Sequence, residues 1–276
     1  MKYKLVADSS SNVLHMEEVD YTNVALKIIT DEKEYEDDEK LDVDAMVEEL
    51  RSYRGRSGTS CPNVNDWLQA FGDADAVIGV AITGNLSGSY ASALQAAEEY
   101  KQQKPEAEVF VLDSLSAGPE LQLFLEALRD MIHRELPFAQ IKSNLEEYAK
   151  KTHLLFSLES LKNLVRNGRV SPAVAAIAGM LGLRMVGKAS DEGTLALLHK
   201  CRGEKKAITA LWKEMEAGGF AGGKVRIAHC QNPDMAEAFA RTVRKRWPDS
   251  DITILPCRGL CSFYAEKGGL MIGFEG

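Results

Sequence analysis

Short apolar segments alternate with helical patterns along the first half of the chain, and this alternation most narrows the folds available to it. Residues 76–82 (AVIGVAI) and 108–113 (EVFVLD) are short and almost continuously apolar, which is typical of strands buried on both faces of a sheet. Helical patterns follow at residues 90–101 and 119–134. Strands that alternate with helices predict a parallel sheet with right-handed crossovers. We therefore predict an α/β fold whose first domain has three layers, a parallel sheet between two layers of helices.

Two other parts of the chain complete this prediction. Near the N-terminus the sequence predicts a strand over residues 2–8, one strand over residues 23–29 and a charged loop over residues 30–42. After about residue 151, two strand patterns at residues 183–188 and 194–200 are joined by Asp191-Glu192-Gly193, which predicts a β-hairpin. Further strands are predicted at residues 153–157, 224–230, 251–255 and 270–274, and helices at 158–165, 204–217 and 233–247. We expect two domains, residues 1–152 and an α+β domain of residues 153–276 with a mixed or antiparallel sheet, and a ligand site between them.

Small polar residues follow three predicted strands of the first domain. The turns begin at Asp8, Thr83 and Asp113, which places them at the carboxyl ends of parallel strands, where open α/β sheets bind ligands. The loop at residues 83–89 (TGNLSGS) precedes a helix; its glycines let the backbone approach a ligand, and the N–H groups of a helix start favour an anion. Ser87 adds a hydroxyl donor. An ordinary helix cap explains the same residues, so spacing alone leaves both interpretations open.

Two further segments place hydroxyl groups or a cation near a helix start. Thr59 and Ser60 stand in a turn before a predicted helix, where such residues usually cap the helix. Arg169 follows Gly168 and precedes another helix start. Its guanidinium can pair with a carboxylate or a phosphate, although an arginine in this position more often binds carbonyl groups or pairs on the surface.

Charge and cysteine content exclude several classes of protein. The chain has 41 acidic and 33 basic residues and a net charge of −8, which argues against nucleic-acid binding. No apolar run approaches the ~20 residues that cross a membrane. The 5 cysteines form no C-x-x-C pair and no signal-peptide pattern precedes the first strand, so we expect a cytoplasmic protein with reduced thiols. No segment has metal-ligand spacing or a nucleotide-binding loop, so we expect no metal and no cofactor.

Taken together, five motifs resemble those of the DegV family: Asp8-Ser9-Ser10, Thr59-Ser60-x-Pro62, Leu86-Ser87-Gly88-Ser89-Tyr90, Asp113-Ser114 and Gly168-Arg169-Val170-Ser171. The resemblance implies a two-domain α/β protein that holds a fatty acid between its domains. It implies that Thr59 or Ser60 contacts the carboxylate. Ser87 and Gly88 match the loop that contacts the carboxylate from the other side. Arg169 matches an arginine near the head group.

The C-terminal region departs from the family pattern. The family usually has H-x-G-P-G before its last strand, and that segment aligns with residues 264–268 (YAEKG). Tyr264 therefore stands where a histidine is usual. A phenol can donate a hydrogen bond to a carboxylate, but it is not an imidazole base near neutral pH.

The resemblance implies a fatty-acid carrier rather than a self-sufficient enzyme, and in relatives a separate kinase subunit phosphorylates the bound acyl group. Each buried methylene contributes ~0.8 kcal/mol, so a long chain can contribute ~10 kcal/mol before ordering costs. Candidates for contact with the tail are Phe156, Leu158, Leu161 and residues 174–183, which include Ile177, although an ordinary core position is the commoner explanation for any single one of them. The alternatives are a phosphotransferase or hydrolase acting at the Ser87 loop and a lipid-responsive regulator. The regulator would dock another protein through the basic residues of the second domain, which are Lys205, Lys206, Arg241, Arg244, Lys245 and Arg246.

Overall fold

The computed structural model describes residues 1–171 and 182–276. The strands are β1 (Tyr3–Asp8), β2 (Tyr21–Val24), β3 (Lys27–Thr30), β4 (Glu34–Glu36), β5 (Ser57–Ser60), β6 (Ala76–Ala81), β7 (Glu108–Asp113), β8 (Thr152–Leu158), β9 (Leu183–Ala189), β10 (Leu195–Arg202), β11 (Lys224–His229), β12 (Asp251–Pro256) and β13 (Leu270–Glu275). The helices are α1 (Val43–Ser52), α2 (Val64–Phe71), α3 (Ser89–Gln103), α4 (Pro119–His133), α5 (Phe138–Ala149), α6 (Lys162–Arg166), α7 (Glu204–Ala217), α8 (Pro233–Arg246) and α9 (Gly259–Ala265). None of the helices in these ranges is both long enough and apolar enough to cross a membrane.

The first sheet contains β2, β1, β6 and β7 in this spatial order, and every neighbouring pair is parallel. Successive side chains of a strand point to opposite faces of its sheet. Leu5 of β1 accordingly packs in the cluster that contains Phe124 of α4, whereas Val6 packs in the cluster that contains Trp67 of α2. Helices therefore cover both faces, and the predicted three-layer α/β arrangement is confirmed.

The second sheet contains six strands in the order β10-β9-β8-β13-β11-β12. Only the β11–β12 pair among these neighbours is parallel, so the predicted mixed sheet is confirmed. Leu211 of α7 and Phe239 of α8 pack on one face of this sheet. The opposite face includes Phe156, which packs in a cluster with residues from α1 and α9. The predicted domain boundary, between residues 152 and 153, falls at the start of β8 and stays a prediction.

A third, antiparallel sheet of β4, β3 and β5 corrects three expectations. The single strand predicted over residues 23–29 is divided between β2 and β3, which belong to different sheets, and Leu26 at the break is buried (2% exposed). The loop predicted over residues 30–42 contains β4. Tyr35 is its one buried residue, and Glu34 and Glu36 face solvent. A strand of three residues with two glutamates has no apolar pattern that the sequence could reveal. Thr59 and Ser60 consequently lie in a strand and not in a turn.

Helix α4 joins the two large sheets. It covers one face of the first sheet, and it also packs on β8, β11 and β13 of the second sheet. Gly273 of β13 allows this approach, because a Cβ there would lie 2.6 Å from the backbone nitrogen of Glu120. Further along α4, both carboxylate oxygens of Glu126 accept hydrogen bonds from Arg226 of β11, at 2.7 and 2.6 Å. This bidentate pair fixes α4 against the second sheet.

Glu120 lies buried at this junction. Its carboxylate accepts hydrogen bonds from Ser116 Oγ (2.5 Å) and Thr152 Oγ1 (2.7 Å). Desolvation raises the pKa of Glu120 to about 7, although the two hydroxyl hydrogen bonds act in the opposite direction. At pH values between the pKa of Glu120 in the unfolded chain and its pKa in the folded protein, the folded protein keeps a proton on Glu120 that the unfolded chain has lost. The stability contributed by this proton is therefore complete at low pH and is lost as the pH rises towards about 7.

We predict that Glu120→Gln stabilises the protein at pH 8 and leaves its stability at pH 4 nearly unchanged. The amide stays neutral at both pH values and can keep both hydroxyl partners, so the gain at pH 8 is roughly 2–3 kcal/mol. Urea denaturation at the two pH values measures this difference. Glu98→Gln, an exposed change on α3, is the control. If Glu120→Gln and Glu98→Gln changed the stability equally at pH 8, the raised pKa of Glu120 would be contradicted.

Candidate functional site

A cavity lies between the loops of the first sheet and the face of the second sheet opposite α7 and α8. Of its 17 described lining residues, 13 are apolar, among them Leu154, Phe156, Leu158, Leu195, Leu260 and Met271. A mostly apolar cavity with a few polar groups is typical of small-molecule sites. The structure thus places Phe156 and Leu158 where the sequence predicted them. Leu161 instead packs in the core, and residues 174–181, including Ile177, lie outside the described residues.

The four polar residues among the described lining are Thr59, Ser87, Arg169 and Tyr264. All four were predicted to bind the ligand, and the fold brings them to one cavity although Thr59 and Tyr264 are 205 positions apart. Their role as ligand-binding residues stays a prediction.

The loop that carries Ser87 presents its hydroxyl group to the cavity. The N–H groups of Leu86 and Ser87 both donate to the carbonyl of Thr83, at 3.2 Å each. The Ser87 hydroxyl oxygen accepts a hydrogen bond from the N–H of Ser89 at 3.2 Å. Because that bond uses an oxygen lone pair, the hydroxyl hydrogen of Ser87 is available to donate to a ligand.

Asp8 holds both ends of this loop. Its Oδ2 atom accepts hydrogen bonds from the backbone N–H of Ile82 (3.0 Å) and from Ser89 Oγ (2.6 Å), and its Oδ1 atom accepts from Ser10 Oγ (2.5 Å). Asp8 is 0% exposed, and desolvation raises its pKa while these hydrogen bonds oppose the rise. The sequence pattern placed Asp8 at the ligand edge of the sheet, whereas the structure shows it beneath the loop, where it fixes the position of Ser87.

Thr59 and Tyr264 face each other across the cavity wall. Thr59 Oγ1 and the Tyr264 hydroxyl oxygen are 2.7 Å apart, and either group can donate. Whichever hydroxyl donates, the hydrogen of the other one remains available for a ligand. The pair joins β5 to α9 and supplies a donor without a net charge.

Asp37 fixes α9, the helix that carries Tyr264. Its two carboxylate oxygens accept hydrogen bonds from the N–H groups of Gly259 (2.7 Å) and Leu260 (2.8 Å), the first residues of the helix. A Cβ at Gly259 would lie 2.7 Å from Asp37 Oδ1, so a larger residue would displace the carboxylate that caps the helix. Burial raises the pKa of Asp37, and the backbone hydrogen bonds oppose the rise. We did not predict α9 or this cap, because Asp37 lies 222 positions from its partner.

Arg169 brings a full positive charge to the cavity. Its Nε donates to the carbonyl of Leu86 at 3.0 Å and its Nη1 to the carbonyl of Asn167 at 2.5 Å. Carbonyl groups orient a guanidinium but do not neutralise it. The contact with Leu86 also ties Arg169 directly to the Ser87 loop.

Two of the predicted residues do not line the cavity. Ser60 lies in β5 with its hydroxyl donating to the carbonyl of Cys61 at 3.3 Å. Gly88 precedes α3, and a Cβ on it would lie 3.1 Å from the Cys61 sulfur. Ser60 does not line the cavity because successive side chains of a strand alternate, so Thr59 and Ser60 face opposite sides of β5. A ligand-binding role for Ser60 and Gly88 stays a prediction.

The chemistry of the cavity is that of an anion site beside an apolar chamber. The described lining contains three hydroxyl groups and one guanidinium, and no aspartate, glutamate or histidine. All four polar groups can donate, which suits a carboxylate. A general base for Ser87 is absent from these lining residues. Residues 1–171 and 182–276 also contain no cluster of side chains that could hold a metal ion.

Comparisons with known proteins agree over the whole chain. A family model described as an uncharacterised protein of the DegV family matches residues 2–275. A DegV domain-containing protein of Streptococcus pneumoniae (strain ATCC BAA-255 / R6) is 40% identical over 279 residues, which cover 100% of this chain and 99% of that protein.

Two solved structures are similar to this one. The crystal structure of a DegV family protein from Eubacterium eligens loaded with heptadecanoic acid has a TM-score of 0.97 and 40% identity, and the match covers 99% of each chain. The structure of the S. pneumoniae fatty acid kinase (Fak) B3 protein loaded with linoleic acid also has a TM-score of 0.97 and 40% identity, covering 100% of this chain and 99% of that one. With a family model that spans residues 2–275 and 40% identity along the full length, this chain belongs to the DegV family, as its five motifs predicted.

Proposed function

We propose that this protein binds a long-chain fatty acid, with the carboxylate at Thr59, Ser87, Arg169 and Tyr264 and the acyl chain along the apolar wall. The observation that carries this proposal is the composition of one cavity, whose described lining is 13 apolar residues and four donors, one of them cationic. A ligand that is anionic at one end and apolar along its length satisfies both parts. A wholly polar ligand would leave most of the wall without a matching group.

Burial of the tail supplies most of the affinity in this proposal. Each methylene that leaves water contributes ~0.8 kcal/mol, whereas a hydrogen bond exchanged with water contributes only about 1 kcal/mol net. The donors therefore fix the orientation of the ligand more than they raise its affinity. Arg169 adds preference for the ionised acid over a neutral ester or alcohol, because only the ionised acid offers a full negative charge.

Relatives support the choice of ligand. The DegV protein from E. eligens was crystallised with heptadecanoic acid, and the S. pneumoniae Fak B3 protein with linoleic acid. Both structures match this chain with a TM-score of 0.97, so a cavity of similar shape is expected in the same place.

We further propose that the protein is a carrier that presents the bound acid to a separate fatty-acid kinase. One observation supports a role without catalysis of its own: the described lining supplies no carboxylate or imidazole base. The relative named as a component of fatty acid kinase supports the kind of partner.

Native mass spectrometry of the purified protein tests the proposed ligand. We expect a co-purifying mass equal to that of a free long-chain fatty acid, which disappears under denaturing conditions. Protein that is empty, and that stays empty after incubation with oleic acid, would refute the proposal.

A substitution at Ser87 tests the head-group assignment. Ser87→Ala removes a donor to a desolvated carboxylate, and we expect the affinity for oleic acid to fall by ~1–3 kcal/mol. Isothermal titration against delipidated protein measures the change. Ser143→Ala, on the exposed part of α5, is the matched control and should bind like the wild type. Unchanged affinity in Ser87→Ala would mean that the carboxylate lies elsewhere.

Tyr264→Phe should weaken binding less than Ser87→Ala. The phenol shares its hydrogen-bonding capacity with Thr59, whose hydroxyl remains in the variant and can turn towards the ligand. The same titration compares the two variants. Equal losses would show that the phenol makes its own, separate hydrogen bond to the carboxylate.

A further inference from the structure

Thr83 lies behind the site and does not contact the cavity. It is 1% exposed and follows β6 at the start of the loop that carries Ser87. Its carbonyl accepts the N–H groups of Leu86 and Ser87, and its own N–H donates to the carbonyl of Ser116 at 3.0 Å. The backbone of Thr83 therefore anchors the turn that presents the Ser87 hydroxyl.

The side chain of Thr83 reaches a different part of the chain. Its hydroxyl donates to the carbonyl of Gly193 at 2.9 Å and accepts the N–H of Asn85 at 3.2 Å. The side-chain amide of Asn85 donates to the carbonyl of Glu192 at 2.5 Å. Two hydrogen bonds thus connect the Ser87 loop to the turn at residues 190–194 between β9 and β10, which we call the hairpin tip.

Gly193 makes this contact possible. Its φ is +73°, a conformation that side chains other than glycine rarely adopt, and a Cβ would lie 2.3 Å from Thr83 Oγ1. The hairpin tip therefore fits against Thr83 only with glycine at this position. The carbonyl of Gly193 accepts a hydrogen bond from the buried hydroxyl of Thr83, so the contact between the two segments is specific.

The loop and the hairpin tip both lead to the cavity wall. Ser87 lines the cavity four residues after Thr83, and Leu195 lines it two residues after Gly193. One part supplies a donor for a carboxylate and the other supplies apolar surface. A movement of the hairpin tip away from the loop would break the hydroxyl bond of Thr83 and displace Leu195 at the same time.

We propose that Thr83 is a positioning residue whose hydroxyl couples the hairpin tip to the Ser87 loop, so that the two parts of the wall close together around the ligand. This coupling sets the residence time of the bound acid. The proposal rests on the proposed function for its ligand, but the coupling itself is a property of the ligand-free protein.

Ligand release is the first test. Thr83→Val keeps the shape of the side chain and removes its hydrogen bonds, so the dissociation rate of the fluorescent fatty acid cis-parinaric acid should rise about five- to tenfold in stopped-flow displacement by oleic acid. Thr83→Ser keeps the hydroxyl and should restore the wild-type rate. Thr242→Val makes the same chemical change on α8, where the hydroxyl donates to the carbonyl of Ala238 at 3.0 Å, and should have no effect.

Hydrogen–deuterium exchange of the ligand-free protein is the second test. Thr83→Val should raise exchange in residues 83–88 and 190–194 together, whereas Thr83→Ser should not. Faster exchange confined to residues 83–88, or a wild-type dissociation rate in Thr83→Val, would overturn the coupling. If the wild-type protein failed to bind cis-parinaric acid, the proposed function would fall, and the exchange experiment would still decide whether Thr83 couples the two segments.

Discussion

The buried turn at residues 8–10 is the constraint on which both walls of the cavity depend. Asp8 accepts hydrogen bonds from Ile82 and Ser89, which stand at the two ends of the Ser87 loop. Two residues later, the carbonyl of Ser10 accepts a hydrogen bond from the thiol of Cys261 in α9, at 3.3 Å. A single turn at the end of β1 thus contacts the loop that supplies Ser87 and the helix that supplies Tyr264. Groups far apart in sequence converge because they share this support.

Among the described residues, the two buried aspartates that support the site form no salt bridge, although the nearby charge of Arg258 also lowers the pKa of Asp37. Desolvation raises the pKa of Asp8 and of Asp37, and in both cases hydrogen bonds from backbone N–H groups and hydroxyls oppose that rise. A buried carboxylate that is satisfied by such donors does not require an ion pair. Arg169 is consequently not used to neutralise either acid. Its guanidinium binds two carbonyl groups and keeps its charge for the cavity.

The sequence predicted the parallel sheet, the mixed sheet and the DegV family, because apolar strands, helical periodicity and short motifs are local signals. It also predicted the four polar residues that line the cavity. It did not predict β4, whose single inward residue lies between two glutamates, or helices α5 and α9. The cap of α9 by Asp37 and the contact of Thr83 with the hairpin tip join residues 222 and 110 positions apart, and no local pattern encodes such pairs. Ser60 and Gly88 show the same limit, since a motif contains neighbouring residues without indicating which of them lines the cavity.

Under the proposed function, the division between apolar wall and polar end determines how the ligand is held. Apolar contacts have no preferred direction, so they retain an acyl chain without fixing its ends. Hydroxyl groups rotate and can follow a carboxylate through small displacements, whereas the guanidinium of Arg169 is held by two carbonyls and cannot. One fixed cation, the Ser87 hydroxyl and the one free hydroxyl hydrogen of the Thr59–Tyr264 pair therefore orient the acid. Such a site retains its ligand mainly through the tail, and a partner protein needs to replace only these few polar contacts to reach the carboxylate.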